Sequence, residues 1–310
     1  MLRFIIKRGI LALVTIWIIV TITFIIMHAV PGGPFTQERP VPPAVLANLN
    51  RAYHLDEPLL MQYARYLGSL LQGDLGPSMV SATRDVNQML ADTLPVSIQL
   101  GLQALIVALI FGLSFGMISA FFHNKLPDRI VSVVAVIGAA VPSFVMAPLL
   151  IQVFAMELKW FPVARWETMK HTVLPTVALS FLPLAQITRM MRSSMLEVLQ
   201  QDYIKTAKSK GLAQARVIMK HTLRNSIMPV ITLVGPIAAG LLTGTFAVEK
   251  IFSVPGAGKL FVQSIENRDY PLILGTTIIY GSALVVINLL TDILYTIVDP
   301  RVKLPGKGGR

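Results

Sequence analysis

Six apolar runs separated by polar connections limit what this 310-residue chain can become. They lie at about Gly9–Met27, Val96–Phe122, Ile130–Met156, Val173–Met191, Val230–Val248 and Leu272–Val298. Each is long enough to cross a hydrocarbon core of about 30 Å. The expected fold class is therefore an all-α polytopic membrane protein with six transmembrane helices and both termini on the same side. Charged residues are only 14% of the chain, against about 25% in a soluble domain. Cys is absent, which excludes disulfide frameworks and Cys-ligated metals.

The first run follows Arg3, Lys7 and Arg8, so a cleaved signal peptide has to be weighed. A signal's apolar region is shorter, and His28-Ala29-Val30-Pro31 offers no small-x-small site. An uncleaved first span is the expectation. Lys and Arg then orient the chain. With the N-terminus inside, 17 of the 27 basic residues fall on inner segments. The inner acids are Asp128, Glu197, Asp202 and Asp299 alone. The formal +11 net charge is thus a topology signal, and no nucleic-acid partner is expected.

Four regions follow: 1–29, the cytoplasmic end and first span; 30–95, an extracytoplasmic layer; 96–298, a five-helix core with a cytoplasmic loop at 192–229; and 299–310, a cytoplasmic tail. In the outer layer Pro31-GGP-Phe35 reads as a turn, and Pro42-Pro43 starts a helix through Tyr53. Leu59, Leu60, Tyr63, Leu67, Leu70 and Leu71 fall at helical spacing in a second segment.

The loop at 192–229 is polar and basic between two apolar runs. Within it Asp202-YIKTAKSK-Gly211 reads as a short bounded helix. Asp202 can accept from free N–H groups of the first turn, and Gly211 can adopt the left-handed conformation that ends a helix. Lys205, Lys208 and Lys210 sit toward the end where the helix dipole favours positive charge. A rod of about 12 Å buries too little surface to stand alone. It should dock on a partner, although its lysines could also hold topology or touch anionic lipid.

Tyr203-IKTAKSKGL and Lys220-HTLRNSIMP resemble the cytoplasmic coupling loop of binding-protein-dependent ABC importer permeases. Gly211 matches the glycine of that family's signature and Ala207 its second alanine. Lys205 stands where the glutamate would be, Arg224 occupies the proline position, and the proline is delayed to Pro229. Those departures are typical of the peptide-permease branch. Tyr53-HLDEP, Gly73-DLGPS, Phe161-PVARWE, Gly244-TFAVEKIFSVPGAGKLFVQSI, Asn267-RDYP and Val298-DPRVK are similar to the B-type permease of oligopeptide importers.

The resemblance implies a type I importer fold and a non-catalytic permease with no cofactor, ATP being bound by partner subunits. It implies a second related permease, two cytoplasmic ATPases, an extracytoplasmic peptide-binding protein and a bacterial cell membrane. Oligopeptides are the implied cargo, with dipeptides or nickel complexes as alternatives. Asp202, Tyr203, Ile204, Lys205, Thr206, Ala207, Lys208, Lys210 and Gly211 would couple to the ATPase, with Tyr203, Ile204 and Ala207 offering apolar contact.

Other candidates are weighed on the residues. Gly256-AGKL lacks the spacing of a phosphate loop and reads as an outer turn. The five histidines are scattered and show no metal-ligand spacing. Pro142, Ser143 and Phe144 could kink the third span into a gate. Asp292, with Asn288 one turn earlier, could line a pathway or lock helix packing. Gly101, Gly112, Gly116 and Gly138 suit close helix approach. A proton-coupled secondary transporter would normally carry several intramembrane acids, and an enzyme a nucleophile–base or metal set. Neither is visible.

Overall fold

A computed structural model describes residues 2–30, 32–35, 42–81, 83–213, 216–243 and 245–298. The tail at 299–310, Pro31, and the side chains of Lys208 and Asp292 lie outside the described residues. Regular structure among the described residues is helical, apart from an isolated bridge between Pro77 and Asp85. The helices are α1 (Leu2–Ala29), α2 (Pro43–Ala52), α3 (Leu59–Leu71), α4 (Val86–Phe121), α5 (Leu126–Ala140), α6 (Ser143–Leu150) and α7 (Met169–Leu199). After these come α8 (Asp202–Ser209), α9 (Leu223–Ser226), α10 (Met228–Thr243), α11 (Phe246–Phe252), α12 (Ala257–Glu266) and α13 (Tyr270–Val298).

Among the described residues, five helices are long and apolar enough to cross a membrane: Arg8–Ala29, Val86–Phe121, Met169–Leu199, Leu223–Leu242 and Tyr270–Thr291. A sixth crossing exists only if α5 and the helix Ser143–Glu157, bent by 110°, count as one. The expected third span is therefore broken, well beyond a kink. Val141 is extended (φ −92°, ψ 114°) and Pro142 follows in a polyproline-like conformation (φ −59°, ψ 147°). The ring of Pro142 pushes the residue before it out of the helical region. Beyond α6 the backbone continues as a π-helix, Ile151–Glu157.

The expected fifth span is corrected too. Its helix stops at Thr243, and α11 begins afresh at Phe246. Glu249, just past the expected end, is fully buried in α11 and accepts from Thr245 Oγ1 at 2.6 Å. A hydroxyl four residues earlier on the same turn thus solvates a carboxylate that the apolar run could not hold bare.

The chain divides into two compact units. One comprises residues 1–97 and 255–285. Its core gathers Val20 of α1, Leu75, Val86 and Leu90 around α4's start, and Leu272 of α13. Tyr66, Leu67 and Leu70 of α3 pack on this cluster, and Tyr63 donates to or accepts from Thr21 at 2.6 Å. Leu59, Leu60 and Leu71, expected on the same apolar face, are exposed instead. Asp269 accepts from Ser78 Oγ and from the Met79 N–H (3.1 Å), and the Tyr53 hydroxyl donates to the Ser78 carbonyl (3.2 Å). Burial, and after it the Asp269 carboxylate, push the Tyr53 phenol above its usual pKa.

The other unit comprises residues 98–254 and 286–310. Here α7 is the spine, and glycines let its neighbours approach. A Cβ on Gly112 would meet Ile187 at 2.8 Å, one on Gly116 would meet Met191 at 2.6 Å, and one on Gly138 the Phe181 carbonyl at 2.9 Å. Gly101 likewise faces Leu242. The four glycines read from sequence as close-approach positions are at helix contacts. Without side chains there, backbones approach and dispersion contacts accumulate, the main attraction available between helices in lipid.

Candidate functional site

Helix α8 starts where α7 runs out. The Gln201 carbonyl accepts from the N–H groups of Ile204 (3.0 Å) and Lys205 (3.3 Å), so the turn leaving α7 already serves as the first bonds of α8. Asp202 occupies the first helical position. Its side chain turns to the Lys205 ammonium at 2.8 Å, replacing the expected cap. That pair is nearly fully exposed and contributes little.

The other end stops as the sequence requires. Gly211 has φ +74°, and Leu212 N–H reaches back to the Ala207 carbonyl at 3.4 Å. Leu212 also packs against the cluster of Ile204, Ala207 and Val217, as the apolar contact of a Schellman motif does. No atom lies within 4 Å of where a Gly211 Cβ would sit, so the requirement there is conformational and not steric.

One face of α8 is spent inside the chain. Ile204 (0% exposed) and Ala207 (7%) pack with Val217, Val198 and Leu212. Expected to offer apolar contact outward, both are turned inward, because a two-turn helix needs an apolar seat on its own chain. The outward face is Tyr203, Lys205, Thr206, Ser209 and Lys210. Tyr203, 44% exposed, is fixed at its hydroxyl by Asn225 Nδ2 at 3.0 Å. The result is a small rod with a polar, basic surface and one positioned aromatic ring.

A second feature of the same unit is a cavity of about 560 Å³. Pro142 and Ser143 at the break form one wall, Pro183 and Gln186 of α7 another, and Pro236 and Gly240 of α10 a third. Phe144 is exposed and does not line it, and neither does the half-buried Asn288. Two of the proposed gate residues are thus brought to one space, while Phe144 and Asn288 are not. Gln103, considered for a pathway, accepts from Thr176 Oγ1 at 3.1 Å and bonds between helices.

Sequence reading missed the most elaborate polar cluster. Asp128, 4% exposed, sits in the first turn of α5. Arg192 of α7 grips it at two points, Nε to Oδ1 at 2.8 Å and a terminal nitrogen to Oδ2 at 3.0 Å. Ser119 Oγ and the Asn124 N–H (2.9 Å) donate to the same carboxylate. Read from sequence, both charges count only toward topology. Nothing local signals a partner 64 residues away, since each residue alone suits a cytoplasmic boundary.

Residues 112–304 match the family described as "Binding-protein-dependent transport system inner membrane component", and residues 1–101 match its N-terminal counterpart. The chain is 49% identical over 308 residues to the dipeptide transport system permease protein DppB of Bacillus subtilis, covering 99% of this chain and 100% of that one. It is 44% identical to the oligopeptide transport system permease protein OppB of Haemophilus influenzae, covering 98% and 100%. Among solved structures, an amino acid ABC transporter with histidines aligns at TM-score 0.55 and 15% identity, over 68% of this chain and 94% of that chain. The MetNI methionine ABC transporter aligns at 0.56 and 14%, over 68% and 97%. At such identity these structures speak to the fold, which is that of ABC importer permeases.

Proposed function

Since the chain belongs to the binding-protein-dependent transport system inner membrane component family, we propose that it is a permease subunit of an ATP-driven peptide importer. It is a multi-pass membrane protein. It forms part of the path for peptides delivered by an extracytoplasmic binding protein, beside a second related permease. Its own residues perform no catalysis. ATP is bound and hydrolysed by two separate cytoplasmic subunits.

The supporting observation is the build of α8. A rod seated on the end of a 31-residue spine, stopped by Gly211 and presenting Tyr203, Lys205, Thr206 and Lys210, suits mechanical coupling. Closure of the ATPases displaces α8, and α7 passes that displacement to the helices around the 560 Å³ cavity. The coupling is as strong as the difference in contact that α8 makes with the two ATPase states. The excess of basic residues on these segments supports α8 and both termini lying in the cytoplasm.

Relatives named for dipeptide and for oligopeptide transport are similarly close, so the cargo is peptide of either length class. The lining of Pro142, Ser143, Pro183 and Gln186 carries no charge that would select side chains. The test is reconstitution of the permease pair and ATPases in vesicles with a loaded binding protein. Uptake of labelled peptide should require ATP and both ATPases, with unlabelled di- and oligopeptides competing to define length. Uptake driven by a proton gradient without ATPases would overturn the proposal.

A further inference from the structure

Arg192 lies seven residues before the end of α7, the end on which α8 is seated through Val198. Its partner Asp128 lies at the opposite end of α5 from the break at Pro142. The Asp128 carboxylate is nearly inaccessible, yet it is satisfied from three directions: Arg192 on α7, Ser119 at the end of α4, and the Asn124 N–H in the connecting turn. His123 stands beside it, Nδ1 3.4 Å from Oδ2 and 3.2 Å from the guanidinium. A two-point Arg–carboxylate pair fixes orientation as well as distance, which a lysine could not do. Asp128 is inaccessible while Arg192 is 31% exposed, so the pair sits at the edge of the α5–α7 contact, where its geometry constrains how the two helices can shift.

We infer that Asp128 and Arg192 are positioning residues that make α5 follow α7, so that displacement of α8 reaches the broken span lining the cavity. This rests on the proposed role of α8. Toward the other end of α5 the two helices meet through apolar contacts such as Gly138 on Phe181 and Ala185, which set no fixed register by hydrogen bonding. The ion pair opposes sliding, because its two hydrogen bonds fail when either helix shifts by more than a fraction of their length. It is placed at the end nearest the applied force. Removing it would leave the motor docked and hydrolysing while the cavity wall no longer follows.

The test uses the assembled transporter in vesicles carrying Asp128→Asn, which keeps the volume and removes the charge. The expected result, per assembled complex, is retained ATP hydrolysis stimulated by loaded binding protein and peptide uptake per ATP lower by about tenfold. An unchanged ratio of uptake to hydrolysis would overturn the inference, as would a parallel fall of both in proportion to lost complex. A second measurement reads geometry directly, because the chain has no native Cys to compete for labels. Spin labels at Gln200 and Ala140 should keep one distance in nucleotide-free and ATP-trapped wild type, and shift between those states in Asp128→Asn. A wild-type distance that already changes between states would show that α5 moves independently of α7, sinking the inference. Failure of wild type to take up peptide with ATP would instead sink the functional reading on which it stands.

Discussion

Helices α7 and α5–α6 meet the same insult and answer it differently. α7 carries Pro175 and Pro183 inside it and remains one helix of 31 residues. The α5–α6 stretch carries Pro142 and breaks by 110°. An internal proline removes a backbone bond and clashes with the preceding turn, at a cost of about 3 kcal/mol. Pro175 and Pro183 are buried, and α7 is held along its length by α4 and α5 through Gly112, Gly116 and Gly138. Pro142 is exposed, with Val141 and Ser143 only half-buried. Exposure by itself does not break a helix, since Pro95, Pro148 and Pro236 are exposed inside continuous helices; at Pro142 the break comes with Val141 held in an extended conformation at the end of α5. A proline therefore marks where a helix can break without requiring that it does.

The largest effect on this contrast should come from loosening the spine. Gly116→Leu would place a Cβ 2.6 Å from that of Met191 and 2.8 Å from the Thr188 carbonyl, and a backbone oxygen has nowhere to retreat. The expected cost is about 3 kcal/mol. Thermal unfolding of the purified complex should show a clear loss of stability, and an unchanged midpoint would mean α4 does not press on α7 there.

Mending the break comes next. Pro142→Ala restores an N–H and removes up to about 3 kcal/mol of helix penalty. Labels at the exposed positions Val133 and Leu149 should move apart as α5 and α6 straighten, with peptide uptake reduced. Pro175→Ala should leave both that distance and uptake as they are. If the two substitutions behave alike, the contrast between Pro142 and Pro175 fails.

The smallest effect is expected at the hand-over from α7 to α8. Gly211→Ala meets open space but must hold φ near +74°, a strain of about 1 kcal/mol. Hydrogen exchange of the amides at 204–212 should quicken while the rest of α7 stays protected. Equal exchange in both proteins would mean the left-handed stop does not hold α8.

Much of this was legible in residue order. Runs of apolar residues located α1, α4, α7 and α13, since crossing lipid imposes a minimum length that few other demands mimic. Gly211 announced the end of α8 because the left-handed conformation is a local backbone property, readable without neighbours. The motif in the loop at 192–229 and the matched stretches pointed to the family that the comparison established.

Other features depended on what the chain meets after folding. Ile204 and Ala207 look equally ready to face a partner or their own chain, and only Val217 and Leu212 closing over them gives the direction. Asp128 and Arg192 each satisfied a rule about charge at the membrane boundary, which hid their pairing. The 110° turn at Pro142 and the straight passage at Pro183 arise from similar residues in similar runs. Sequence fixes what a short stretch requires for itself: length in lipid, sign of φ, the cost of a proline. Tertiary structure alone settles which of those costs is offset by a neighbour, because contact between helices distant in the chain leaves no periodic trace in either.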